Sequence, residues 1–310
     1  MNFTLTILGT ASAMPMVDRF QSAQVLSVHG RFFLIDCGEG CQKQLIRCHV
    51  PLQRIDALFL SHIHGDHLFG LFPLLSTLGM LKRNVPLDIY APVSFGPILK
   101  FFLSYYGQGV DFEIRHHPLS MKEPMTVFET KSLEIKAFPL NHKIETFGFL
   151  FEEKEPRMNV RKEKIGEYGL SVEEIGRIKN GEDLVREGIA VPNRELAYKP
   201  YEPRSYAYCS DTAPFPQLPV WVKGVNLLYH EATYTEEFAS QAAERYHSTA
   251  AQAARCALDA GVGKLVVGHY SSRCRDIRAI EEECRKVFPA SFAASDGEVF
   301  DIPLSGSFSL

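Results

Sequence analysis

The heptapeptide Ser61-His62-Ile63-His64-Gly65-Asp66-His67 limits the folds open to this chain more than any other stretch. It follows a short apolar run, Ala57-Leu58-Phe59-Leu60, that reads as a buried strand, and it leads into Leu68-Phe69-Gly70-Leu71, where a helix begins. Three imidazoles and a carboxylate therefore gather at the carboxyl end of a strand. In an extended loop His62 and His64 project to one side, because alternate residues share a face. A turn at Gly65 then aims Asp66 and His67 elsewhere, so one loop could hold two metal ions. The bland alternative is a polar surface loop rich in histidine, and distant residues must decide between the two.

The 310 residues suffice for one large α/β domain or two smaller ones, with a sizeable core. A net charge of −4 gives no global basic field, so a polyanion would have to meet a local basic patch or bound cations. The cysteines (Cys37, Cys41, Cys48, Cys209, Cys256, Cys274 and Cys284) are odd in number and scattered, and no second pair follows Cys37 and Cys41 at zinc-finger distance. Thiols in a reducing compartment are expected. Met1 to Pro15 has no basic leader and is broken by Asn2, Thr4 and Thr6, which reads as a strand and not a signal peptide. The most apolar later window, Leu68 to Leu81, is interrupted by Gly70 and Pro73 and is shorter than the roughly 18 residues of a membrane span. The expectation is a cytoplasmic protein with no membrane partner.

Alternation predicts strands at Phe3 to Leu8, Ala23 to Val28 and Arg31 to Ile35, with His29-Gly30 as a two-residue hairpin turn. Asp36-Cys37-Gly38-Glu39-Gly40 is a tight turn, and Asp36 reads as a loop-bracing carboxylate in preference to a ligand. Helices are expected at Cys41 to Cys48, Leu68 to Leu81, Val93 to Tyr105, Ser248 (as N-cap) to Ala260, and Asp276 to Val287. Strands interspersed with helices predict an αββα sandwich, a single domain over 1–310. Residues 152–203 interrupt it with dense charge and few apolar runs, and only Val172 to Lys179, behind the capping box Ser171-Val172-Glu173-Glu174, reads as helix. That segment is too long for an ordinary connection and is either an inserted functional arm or a solvated excursion.

Further histidines and acids fall just beyond strand ends: His142, Asp211, His230-Glu231 and His269. Each alone is ordinary, but sandwich loops converge at such ends. His62, His64 and His142 can serve one metal, and Asp66, His67 and His269 a second, with Asp211 bridging. Nitrogen and oxygen donors without thiolate fit two Zn2+, with Mn2+ or Fe2+ left open. Two adjacent cations make hydroxide available near neutral pH and neutralise charge on a phosphodiester. Asp66 is then placed to take the proton. His247 precedes a helix start and either makes a structural hydrogen bond or, oriented by Glu231, protonates a leaving oxygen.

The ordered set Leu8-Gly9-Thr10, Asp36 to Gly40, Ser61 to His67, His142, Ser210-Asp211-Thr212, His230-Glu231-Ala232-Thr233, His247-Ser248-Thr249 and His269 to Arg273 resembles the metallo-β-lactamase superfamily. Within it, the His230 to Thr233 and His247 to Thr249 stretches, with Ser271-Ser272-Arg273, resemble the ribonuclease Z family of tRNA 3′-processing endonucleases. The resemblance implies a dizinc site on the seven positions named, Asp66 as proton acceptor, and His247 with Glu231 assisting the leaving group. It further implies a homodimer acting on precursor tRNA, with no DNA substrate, and an arm at 152–203 that grips the tRNA. Cleavage would leave a 3′-hydroxyl on the tRNA and a 5′-phosphate on the trailer. Where the family's arm commonly carries a Gly-Pro-rich tip, Gly169 to Gly176 has no proline, and where Gly-Leu-Pro-Gly is usual this chain has Gly70-Leu71-Phe72-Pro73. The competing readings are a hydrolase of the same fold acting on small phosphodiesters or sulfate esters, and a non-catalytic RNA-binding protein.

Overall fold

The computed structural model describes residues 2–304 except 187 and 275. The chain divides into two compact units: a larger one of Met1–Glu129, Ile135–Phe151 and Ser205–Ile302, and a smaller one that includes Thr130–Glu134 and Glu152–Arg204.

The larger unit is built on two seven-stranded sheets. In spatial order the first runs β18 (Val299–Asp301), β1 (Phe3–Gly9), β2 (Ala23–Val28), β3 (Arg31–Ile35), β4 (Ile55–Phe59), β5 (Leu87–Pro92) and β6 (Ile114–Leu119). The second runs β17 (Ser291–Ala293), β16 (Lys264–Gly268), β15 (Leu227–Glu231), β14 (Ser205–Cys209), β9 (Phe147–Glu153), β8 (Leu133–Pro139) and β7 (Met125–Glu129). Pairing is antiparallel from β18 to β3 and parallel from β3 to β6 and from β14 to β17. The inner parallel strands β4, β15 and β16 are largely apolar and buried, whereas the edge strand β6 is not; every residue of β15 is buried, Glu231 included.

Aromatic rings fill the space between the sheets. Phe33 and Phe59 of the first meet Phe128, Phe149 and Phe151 of the second at centroid distances of 5.3–5.9 Å. Outside the first sheet, α1 (Cys41–Arg47), α3 (Leu71–Met80) and α4 (Phe95–Tyr106) bury Leu45, Leu74, Leu78 and Phe95 against it. Outside the second, α8 (Leu218–Trp221), α10 (Ala250–Ala260) and α11 (Ile277–Val287) bury Leu218, Ala253, Ala257 and Ile280. The result is the αββα sandwich that the order of elements predicts.

Two departures from the sequence reading concern elements beside the histidine loop and His247. The helix expected over Leu68 to Leu81 is two: α2 (Gly65–Leu68) and α3, separated at Gly70, whose N–H donates to Cys37 O at 2.8 Å. A Cβ on Gly70 would collide with the Gly38 carbonyl, and one on Gly38 with the Asp66 carbonyl, so these glycines let the turn after β3 pack against the histidine loop. The N-cap of α10 is Thr249 and not Ser248: Thr249 and Gln252 form the reciprocal capping box, and the Ser248 hydroxyl donates instead to Thr212 O at 2.7 Å. A short helix before it, α9 (Ala239–Arg245), adds to the elements that the pattern predicts.

The smaller unit holds more structure than its composition foretells. Besides α6 (Val172–Lys179), with the expected Ser171 capping box, it contains α5 (Lys162–Glu167), α7 (Asn193–Leu196) and the two-stranded pairs β10 (Asn159–Val160) with β13 (Ala197–Tyr198), and β11 (Leu184–Arg186) with β12 (Ile189–Val191). Leu170, Ile178, Leu184 and Leu196 form its own small core. Apolar residues scattered singly through charged sequence thus meet only in three dimensions.

Candidate metal centre and active site

Strand ends on the larger unit deliver the chemistry to one place. His62 and His64 lie on the loop after β4, Asp66 and His67 on α2, and His142, Asp211 and His269 follow β8, β14 and β16. They form two groups whose candidate ligand atoms each fall within 4.8 Å of one another: His62, His64, His142 and Asp211, and Asp66, His67 and His269. In the first, His64 Nδ1 is 3.0 Å from His62 Nε2 and 3.4 Å from His142 Nε2. In the second, His269 Nε2 is 3.3 Å from both His67 Nε2 and Asp66 Oδ2. Asp211 faces both: Oδ2 is 3.7 Å from His62 Nε2, and Oδ1 is 3.3 Å from His269 Nε2 and 3.4 Å from His67 Nε2.

On His62, His67, His142 and His269 the ring nitrogen that points away is engaged with an acceptor, which fixes the one that points in. His67 Nδ1–H donates to Asp36 Oδ2 at 2.7 Å, His142 Nδ1–H to Tyr246 O at 2.9 Å and His269 Nδ1–H to Thr233 Oγ1 at 2.8 Å. Ser61 gives its hydroxyl proton to Asp36 Oδ2 at 2.8 Å, so its oxygen accepts His62 Nδ1–H at 2.9 Å. Each Nε2 lone pair is thereby turned inward, the tautomer that a metal requires. Asp36, held at φ 54°, also receives Ser61 N–H at 2.7 Å and the Tyr208 hydroxyl at 2.6 Å, and so braces the loop from beneath.

This arrangement fits cations. Ring nitrogens and carboxylate oxygens converge, and buried Asp211 Oδ1 has no hydrogen-bond partner among the described residues. Ligands at about 2.0–2.1 Å in tetrahedral array stand roughly 3.3 Å apart, close to the spacings above. The electrostatics agree. Burial, reinforced by neighbouring imidazoles, holds His62, His64 and His142 below the usual histidine range, in the neutral, ligating form. Burial alone would also lower His67, but the carboxylates of Asp211, Asp66 and Asp36 outweigh it and push its pKa well up. The same carboxylates that favour a proton there would favour a cation in its place. Asp211 and Asp66 are both held below the ordinary carboxylate range, because surrounding imidazoles overcome the cost of burial.

Beside these groups stands an imidazole–carboxylate pair. Glu231, the last residue of β15, is fully buried and accepts the N–H groups of Thr212, Thr233 and Ser248 at 3.0 Å, the Thr233 hydroxyl at 2.6 Å and His247 Nδ1–H at 2.9 Å. Burial would lower the His247 pKa, but Glu231 and then Asp211 prevail and raise it to about 9. A pKa raised this far favours the imidazolium at neutral pH, in which Nε2 also carries a proton. His230, next in sequence, belongs to neither group; its Nδ1–H donates to Glu231 O at 2.7 Å. Thr233 and Ser61, whose hydroxyls steer the ligands, sit inside the sequence motifs but carry no role there.

The cavity over the site has a volume of about 1050 Å³. Lys143, Arg245 and Arg273 line it together with Glu244, Asp66, His142 and His247, so cationic side chains share the cavity with the candidate ligands. Such cations suit phosphate.

Comparison with known proteins agrees with this picture. Residues 3–155 match the family model described as anti-Pycsar protein Apyc1, a stretch that includes the histidine loop and His142 but stops before Asp211, Glu231, His247 and His269. Ribonuclease Z of Bacteroides thetaiotaomicron is 39% identical over 295 residues, covering 95% of this chain and 93% of that protein. Ribonuclease Z of Cytophaga hutchinsonii is 39% identical, covering 97% of this chain and 96% of its own. Among solved structures, human tRNase Z, short form, superposes with a TM-score of 0.71 at 25% identity over 97% of this chain and 99% of that one. The metallo-beta-lactamase fold protein YhfI from Bacillus subtilis gives a TM-score of 0.68 at 17% identity, covering 97% of this chain and all of that one, a likeness of fold. With relatives matched end to end at this identity, on a metallo-β-lactamase fold, the chain belongs to the ribonuclease Z family.

Proposed function

We propose that the protein is a zinc-dependent endoribonuclease that removes 3′ trailers from precursor tRNA. The observation that carries this reading is the adjacency of the two histidine–aspartate groups, joined through Asp211, to the Glu231–His247 pair. His62, His64, His142 and Asp211 would hold one Zn2+, and Asp66, His67, His269 and Asp211 a second. Cations held at these positions would acidify water and offset negative charge developing on a phosphodiester.

The chain's own side chains supply the remaining steps. Asp66, ionised beside His67 and His269, takes a proton from the attacking water as its oxygen bonds to phosphorus. His247 gives a proton to the departing 3′-oxygen, so that the tRNA leaves with a 3′-hydroxyl and the trailer with a 5′-phosphate. Glu231 holds the imidazolium in place and in charge state. Lys143, Arg245 and Arg273 attract the RNA backbone to the cavity.

The smaller unit is proposed as the tRNA-gripping exosite. It carries a cleft of about 720 Å³ with Arg161, Lys162, Lys179 and Lys199 on its walls, and the Arg161 guanidinium lies 5.5 Å over the Tyr198 ring. A small ester needs no such surface. The homodimer that the resemblance implies has a suitable surface on the larger unit: Phe101, Tyr105 and Tyr106 are exposed on α4, in a run of ring contacts that continues through Phe102 to Phe72. Aromatic residues are enriched at protein interfaces, so this face would suit pairing with a second copy. All the cysteines are free, as in a reducing cytoplasm, and among the described residues no helix is long and apolar enough to cross a membrane.

The test is digestion of a precursor tRNA with a defined trailer by the zinc-loaded protein, with the cut mapped. A single internal cut after the discriminator nucleotide supports the reading. Efficient hydrolysis of a chromogenic phosphodiester with the precursor left intact identifies a small-ester hydrolase instead.

A further inference from the structure

Thr233 occupies a junction that neither the metal groups nor the Glu231–His247 pair accounts for. Its side chain is buried, and its oxygen lies 2.6 Å from Glu231 Oε2 and 2.8 Å from His269 Nδ1. A hydroxyl has one proton, and an ionised carboxylate can only accept. The proton therefore lies toward Glu231, and the lone pairs of Oγ1 are left to receive His269 Nδ1–H. The His269 ring is thus held as the tautomer whose Nε2 faces Asp66, His67 and Asp211. The other oxygen of the same carboxylate, Oε1, receives His247 Nδ1–H at 2.9 Å, and the His247 and His269 rings stack 5.5 Å apart at 25°. The backbone clamps the junction as well: Thr233 N donates to Glu231 Oε2 at 3.0 Å, and Ser271 N to Thr233 O at 3.1 Å.

From this geometry we infer that Thr233 is a positioning residue that joins the two halves of the site, orienting His269 toward its cation and seating Glu231 for His247 through one shared hydroxyl. The inference rests on reading Asp66, His67 and His269 as ligands. Valine has the shape of threonine but no hydroxyl, so Thr233→Val leaves His269 Nδ1–H without an acceptor and removes one of the donors to Glu231. The imidazole can then rotate or change tautomer, and its Nε2 is no longer held for the metal. Serine keeps the hydroxyl and loses only a methyl group.

The experiment measures Zn2+ affinity of the whole protein by competition with a chromogenic chelator, for wild type, Thr233→Val and Thr233→Ser, with circular dichroism confirming folding. Wild type is expected to bind two Zn2+. Thr233→Val should weaken one of them by about 10–100-fold, the usual effect of losing a partner behind a ligand, and Thr233→Ser should restore it to within a few-fold. Equal zinc affinity in Thr233→Val and wild type overturns the inference while leaving the metal reading intact, and so does a Thr233→Ser protein as weak as Thr233→Val. A wild type that binds no zinc overturns both. Should Thr233→Val fail to fold, Thr233→Ala against Thr233→Ser makes the same comparison.

Discussion

His67 and His269 present their Nε2 atoms to each other at 3.3 Å, although 202 residues separate them in sequence. Each has its Nδ1 committed on the far side, His67 to Asp36 and His269 to Thr233. Two facing lone pairs repel unless a cation or proton stands between them, so the fold holds this pair together in anticipation of positive charge. Asp211 extends the arrangement to the second group, because its two oxygens point to different sets of imidazoles.

Asp211→Ala should therefore disturb both metals, whereas His62→Ala should disturb one. Elemental analysis after gel filtration is expected to give well under two zinc ions per chain for Asp211→Ala, and about one for His62→Ala, by the linkage of ligand loss to metal affinity. Equal retention in the two variants would mean that Asp211 does not bridge.

Asp66→Ala removes the proposed proton acceptor. Cleavage of precursor should fall by at least about 10²–10⁴-fold, the usual weight of a positioned acid or base. Precursor affinity, measured by filter binding, should stay within a few-fold of wild type. Loss of binding to the same extent as activity would assign Asp66 to folding or assembly.

His247→Ala should slow cleavage of RNA, whose alkoxide leaving group needs a proton, far more than cleavage of a p-nitrophenyl phosphodiester, whose leaving group does not. The imidazolium is present below its pKa of about 9 and lost above it, so the rate carried by this donor falls as pH climbs through that value. Glu231→Gln removes the anion that raises the pKa and should move the alkaline limb to lower pH. An unchanged pH–rate profile in Glu231→Gln would contradict the pairing.

Asp36→Asn replaces an acceptor of protons from Ser61, His67 and Tyr208 with a group that is half donor. A donor facing donors at a fully buried site should cost about 1–3 kcal/mol of stability, and zinc affinity should drop by about 10–100-fold as His67 loses its orientation. Denaturant titration and chelator competition measure the two effects. Wild-type values in both would show that Asp36 is a passenger in the turn.

Replacing Arg161, Lys162 and Lys179 together by alanine should raise KM for precursor tRNA and leave hydrolysis of the chromogenic ester unchanged. Removal of each cation that pairs with a phosphate should also flatten the dependence of log affinity on log salt by roughly 0.7–0.9. An unaltered KM and salt slope would place the tRNA elsewhere.

The histidine loop is legible in the sequence because its geometry is local: spacing within a few residues decides which side chains share a face. His142, Asp211 and His269 are legible as residues just past apolar strands, a position that the sandwich brings to one end. The supporting hydroxyls are not. Ser61 and Thr233 act through partners fixed only by folding; Asp36 meets Tyr208 across 172 residues and Thr233 meets His269 across 36. Sequence pattern starts α10 one residue early because Ser248 and Thr249 are both good caps, and only the claim of Thr212 O on Ser248 separates them. The small core of the arm escapes such a reading because Ile178, Leu184 and Leu196 lie in separate short elements among charges, and only the helix that carries Ile178 shows a period in the sequence.

The most direct test of the central claim is mapping the products formed by zinc-loaded protein from a precursor tRNA with a 3′ trailer. The account predicts one internal cut after the discriminator nucleotide, giving a tRNA that ends in a 3′-hydroxyl and an intact trailer that begins with a 5′-phosphate. A ladder of mononucleotides, or no RNA cleavage by protein that holds two zinc ions and hydrolyses a small phosphodiester, would contradict it.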